Sequence, residues 1–171
     1  MLEGDKVFLR QVEPKDAVLL LAWENDEANW MVSGTEAPYS MHAIEMYIAS
    51  ANEIRANKQL RLMICNKSSQ KPVGAIDLYD INFKYGRAGI GVLIAAEKNR
   101  RKGFAKESIE LCINYGQQIL AVTNFYCTIQ SNNVKSVNLF KQIGFKNVGI
   151  KKNWFKIKEE WVDEYIFQFQ L

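Results

Sequence analysis

Histidine is nearly missing from this chain. Of 171 residues, one is histidine, three are cysteine and three are proline. His42 has no second histidine and no acidic cluster at ligand spacing, which excludes a metal centre and a Ser-His-Asp arrangement built on it. Cys65, Cys112 and Cys127 sit in apolar segments without pairing motifs. That excludes a disulfide framework and fits reduced core thiols in a cytoplasmic protein. No apolar run reaches membrane-spanning length, and the first residues lack the apolar centre of a secretory signal. A net charge of only +3 gives no electrostatic case for nucleic acid.

What is present is an ordinary globular balance, 48% hydrophobic and 24% charged. The length suits one domain over residues 1–171. Val7 to Arg10 reads as a first strand. Pro14 and Asp16 open a helix carrying Val18, Leu19, Leu21, Ala22 and Trp23. Met31 to Tyr39 reads as a loop broken by Gly34 and Pro38. Ser40 is an N-cap for a helix from Met41 to about Asn57. Leu60–Cys65, Val73–Tyr79 and Arg87–Ala95 then read as an antiparallel meander with turns at Asn66–Pro72 and Asn82–Gly86. A long amphipathic helix covers Ala105 to about Leu120. Asn124–Gln130 is a strand, and Asn133 starts a helix capped by Gly144. Two strands follow, at Phe145–Ile150 and Trp161–Gln170, separated by the basic aromatic segment Lys151–Lys158. The order predicts a mixed α/β fold.

The densest chemical signal is the turn Arg100-Arg101-Lys102-Gly103-Phe104-Ala105, between the strand ending Leu93-Ile94-Ala95 and the long helix. Unpaired N–H groups at a helix N-terminus attract an anion. Gly103 permits close backbone approach. A local basic cluster of this kind suits a small polyanion.

Three ordered pieces of the chain resemble one family. The first is Phe8-Leu9-Arg10 with Asp16. The second is Arg100-x-x-Gly103-x-Ala105, similar to the pyrophosphate-binding signature of the GNAT superfamily of acyl-CoA-dependent N-acetyltransferases. The third runs from Asn133 through Ser136 and Phe140 to Gly144-Phe145, and looks like that family's Asn-x-x-Ser block. Within the superfamily the chain resembles the branch of ribosomal-protein N-terminal and spermidine N-acetyltransferases. The resemblance implies a twisted, mostly antiparallel sheet of about six to seven strands flanked by about four helices, with an acyl-CoA slot at a splayed strand pair. It implies acetyl-CoA as cofactor, with the pyrophosphate over Arg101 to Ala105, charge from Arg100 and Lys102, and the pantetheine arm beside Leu93, Ile94 and Ala95. Asn133, Ser136 and Phe140 border that arm.

Direct amine attack on a thioester needs a proton acceptor, oxyanion donors and help for the leaving thiolate. The Ile94 N–H is the candidate donor, and Asp77 and Asp80 are the candidate carboxylates. Many relatives carry a tyrosine acid where this chain has Phe140; Ser136, Tyr126 and Tyr79 are the alternative hydroxyls. Glu24, Asp26 and Glu27 with Trp30 and Tyr39 suit a cationic amine through ion pairing and cation–π contact. The implied activity is acetyl transfer to a small amine such as spermidine. The alternatives are a protein N-terminus as acceptor, or an acyl-CoA-binding module weakened by Phe140. A homo-oligomer is compatible with the apolar strand Trp161–Phe169, which serves equally well as core.

Overall fold

The computed structural model describes residues 2–33 and 35–171. Strand β1 (Val7–Gln11) buries Val7 and Leu9, its alternate residues. A single 3-10 turn, Pro14–Asp16, leads into α1 (Ala17–Glu24) and then α2 (Glu27–Ser33). So Met31–Ser33, expected as loop, is helical; Gly34 lies outside the described residues. The expected helix over 41–57 is two, α3 (Met41–Ser50) and the one-turn α4 (Ile54–Asn57). Ser40 caps α3, its Oγ accepting from the Ala43 N–H at 3.1 Å.

The meander follows as β2 (Leu60–Asn66), β3 (Pro72–Asn82) and β4 (Arg87–Ile94). Then come α5 (Phe104–Leu120), β5 (Asn124–Gln130), α6 (Val134–Ile143), β6 (Lys146–Ile157) and β7 (Glu160–Gln170). Gly144 ends α6 at φ 110°, a left-handed conformation that favours glycine. Lys151 to Ile157 is strand, not a separating segment, and β6 keeps its pairing through two register shifts. Among the described residues there are thus six α-helices where about four were expected.

All seven strands form one sheet in the order β1-β2-β3-β4-β5-β7-β6. Only β4 and β5 are parallel, which follows from the crossover through α5. One face packs on α5: Leu62, Ile64, Ile76, Leu78, Ile90 and Phe125 meet Ile109, Cys112 and Ile113. Each such buried aliphatic contributes roughly 1.5–3 kcal/mol. The opposite face packs Met63 and Cys65 against Ala17 and Leu20 of the α1 segment and Ile44 and Ile48 of α3. All three cysteines are buried and free. No helix among the described residues is long and apolar enough to cross a membrane.

Candidate functional site

β4 and β5 pair at only three positions, Arg87–Gly89 with Asn124–Tyr126. Beyond them β4 runs on to Ile94 and β5 to Gln130, so the two strands part. On its other side β4 stays paired with β3 as far as Ile94. The Ala95 N–H donates to Val73 O at 3.1 Å. Peptide directions alternate along a strand. Val92 and Ile94 therefore turn their N–H groups the other way, into the opening toward β5. A strand bulge lies in β3, where Asp80 adopts φ 48° between register positions Tyr79 and Asn82.

The opening leads to the basic turn. Gly103 takes φ 85°, and Arg101 is also left-handed at φ 61°. Arg100, Arg101 and Lys102 are exposed. The Arg100 guanidinium is already engaged: Nε donates to Ile94 O (3.0 Å) and Nη2 to Ala95 O (3.2 Å). It fastens the turn to the end of β4. The Phe104 side chain is buried in the core, so only its backbone faces the turn, with half-buried Ala105 beside it. Across the opening, Asn133 caps α6, its Oδ1 accepting from the Ser136 N–H at 3.2 Å, and Ser136 is half-buried. Phe140 is 3% exposed and packs edge-on against Phe145 at 5.0 Å. It is a core residue without a hydroxyl.

The sheet face opposite α5 carries the charged residues. Arg61 on β2 bridges two carboxylates. Its Nε donates to Asp77 Oδ1 (2.7 Å), its Nη2 to Asp77 Oδ2 (3.1 Å) and its Nη1 to Glu24 Oε1 (2.6 Å). Burial works against the Arg61 charge, but Asp77 and Glu24 outweigh it and hold the guanidinium ionised. The same guanidinium lies 5.3 Å from the Tyr47 ring centroid, and burial pushes the Tyr47 phenol up to about 12. Asp77 and Glu24 are thereby joined at one cation. Asp80 is apart from them, exposed, accepting from the Tyr126 hydroxyl at 3.2 Å. Beside it is an open cleft of about 750 Å³ lined by Lys58, Lys84, Arg87 and Tyr126. Tyr79 packs edge-on against Tyr126 at 5.8 Å. A Cβ at Gly89 would meet the Tyr79 ring at 2.2 Å, whereas at Gly91 the nearest ring atom is 3.8 Å away. The tyrosine is seated on Gly89, and β4 is bare at Gly91, next to Asp77 across the strand pair. Burial pushes the Tyr79 phenol up, keeping it protonated.

The expected acceptor residues divide. Asp26 caps α2, accepting from the Ala28 N–H at 3.0 Å. The Trp30 indole donates to Glu24 O at 2.8 Å, and Tyr39 is tied by its backbone to Asn25. Glu27 is exposed. Arg61, Tyr47, Gly89 and Gly91 belong to this face and were not anticipated; the alternating Gly89-x-Gly91 was the signal that could have found the last two. No cluster of three metal-ligating side chains occurs among the described residues.

Comparison with known proteins fits this geometry. The acetyltransferase (GNAT) domain matches residues 6–146. Escherichia coli (strain K12) spermidine N(1)-acetyltransferase is 24% identical over 173 residues, covering 99% of this chain and 90% of that protein. The Bacillus subtilis N-acetyltransferase YoaA is 27% identical over 155 residues, covering 90% and 87%. The Vibrio cholerae spermidine N-acetyltransferase crystallised with CoA and spermine has a TM-score of 0.83 at 25% identity, covering 98% and 96% of the two chains.

Proposed function

We propose, since the chain belongs to the GNAT acetyltransferase family, that it moves an acetyl group from acetyl-CoA directly to a primary amine, a small cationic amine of the polyamine kind being the first candidate. One observation carries the reading: the split between β4 and β5 turns β4 N–H groups into an opening that leads to a basic glycine turn. A strand-like ligand arm ending in a phosphate fits both parts, the first by strand addition and the second by anion binding. The acyl thioester supplies the activated acetyl group.

The residues divide the work as follows. The Ile94 N–H donates to the developing oxyanion. The Val92 N–H aligns the arm, while Leu93 and Ala95 hold β4 to β3, the Ala95 N–H through Val73 O. The turn from Arg101 to Ala105 receives the pyrophosphate, and Asn133 and Ser136 border the opposite wall. Asp80, exposed beside Tyr126, takes the proton of the incoming ammonium through water. Arg61 engages both oxygens of Asp77, so Asp77 acts with Glu24 to position the acceptor face. Glu27, on the rim, and the Tyr79 ring attract the cation.

The test is a thiol-release assay with acetyl-CoA against spermidine, spermine, small monoamines and N-terminal peptides. Turnover on the polyamines supports the reading. Turnover only on peptides transfers it to protein N-termini. Tight CoA binding without turnover on any amine would leave a binding module.

A further inference from the structure

A cation from far away in the sequence lies beside Gly103. Lys6 Nζ donates to Lys102 O at 3.3 Å, and it would lie 2.9 Å from a Cβ placed on Gly103. Its ammonium therefore lies against the turn, at the Lys102 carbonyl. Arg100, by contrast, spends its guanidinium on Ile94 O and Ala95 O.

Lys6 does not reach this position by chance of a loose side chain. The segment before β1 is clamped to the first turn of α5 by one carboxylate. Glu107 accepts from the Asp5 N–H (2.9 Å), the Lys6 N–H (2.9 Å) and the Val7 N–H (2.8 Å). Three N–H donors on one carboxylate make a charge-assisted anchor, and an acid in the first helical turn is itself favoured by the dipole. The Lys67 N–H adds a bond to Lys6 O at 2.9 Å.

The anchor holds an ammonium against the positive end of a 17-residue helix, with Arg101 and Lys102 alongside. Like charges and the helix dipole oppose that placement. An anion bound in the turn attracts the ammonium, Arg101, Lys102 and the helix end alike, and so offsets these repulsions.

We infer that Lys6 is a further cofactor-binding residue, which reaches across the Gly103 turn to a phosphate group of acetyl-CoA, and that Glu107 is its positioning residue. The inference rests on reading this turn as the acetyl-CoA site. It is tested by calorimetric titration of CoA and of 3′-dephospho-CoA into the wild-type chain, K6M, K6R, E107Q and K6M/E107Q, with thermal unfolding to confirm that each is folded. K6M is expected to weaken CoA binding about tenfold, the loss of one charge-assisted contact, while K6R retains it. E107Q weakens binding when Lys6 is present and adds nothing in the K6M background, which a purely structural role would not produce. If K6M weakens CoA but not 3′-dephospho-CoA, the contact is to the 3′-phosphate; equal loss for both assigns it to the pyrophosphate. A K6M affinity within about twofold of wild type, where the wild type binds CoA well, overturns the inference alone. A wild-type chain that does not bind CoA overturns the reading of the turn as well.

Discussion

Removing the Arg61 guanidinium leaves Glu24 and Asp77 side by side without a counter-charge. Their side chains are 17% and 18% exposed, and that of Arg61 is 20% exposed. Arg61→Met is expected to cost roughly 2–4 kcal/mol, short of the fully buried range because solvent reaches all three groups. Urea unfolding reads the loss, and simultaneous Glu24→Gln and Asp77→Asn changes should restore part of it. The interaction spans 37 residues on one side and 16 on the other. No local pattern announces it, and the sequence therefore suggested Glu24 as an acceptor residue and Asp77 as a base. Phe140 was legible as a missing hydroxyl but not as a core residue. Phe140→Tyr places that hydroxyl in the packing against Phe145. We expect it to cost about 1–3 kcal/mol, the burial of an unpartnered polar group, without raising turnover; higher kcat at unchanged stability would show that the ring edge faces the thioester.

At the scale of elements, caps and turns decide the outcome. Asp16 closes the turn before α1, accepting from the Glu13 N–H (2.9 Å) and two Arg10 N–H groups (2.7 and 2.8 Å). Burial alone would push its carboxyl up, but Arg10 and the Glu13 N–H hold it below the ordinary range. A carboxyl with a depressed folded pKa contributes stability above its unfolded value and loses it as pH falls through the folded one. Stability should therefore begin to fall below about pH 4, and Asp16→Asn should lower stability at neutral pH while flattening that acid limb, both read by denaturant titration across pH. Gly103→Glu is expected to abolish CoA binding, because the new side chain meets Lys6 and brings a negative charge to the turn. The left-handed φ adds about 1 kcal/mol of strain, too little to unfold the chain, as circular dichroism would show. The turn and α6, with its glycine cap, were readable because capping chemistry is local. The break between α3 and α4 was not, since Ile44, Ile48, Ala51 and Ile54 keep helical spacing across it. Nor was α2, where Gly34 and Pro38 suggested a loop.

Over the whole molecule, ligand binding and folding are linked. Saturation with CoA at about a hundredfold excess over Kd should add about 2.7 kcal/mol. For a chain of 171 residues that is a rise in Tm of roughly 5–10 °C, absent in Gly103→Glu. The layered α/β plan and the splayed strand pair followed from element order and family resemblance. The strand order beyond β5 did not, because nothing local tells β6 from β7 as the neighbour of β5. That order matters during synthesis. β2 to β4 form a meander whose partners are near in sequence, so these strands can pair as they leave the ribosome, with β1 waiting only for β2. β5 takes its antiparallel partner from Glu160–Gln170, more than thirty residues later. Until β7 emerges, one edge of β5 is bare and β6 has no partner. The nascent chain thus passes through a stage in which half of its sheet waits on strands not yet made, and that interval, rather than the finished fold, is when it is most open to association with other chains.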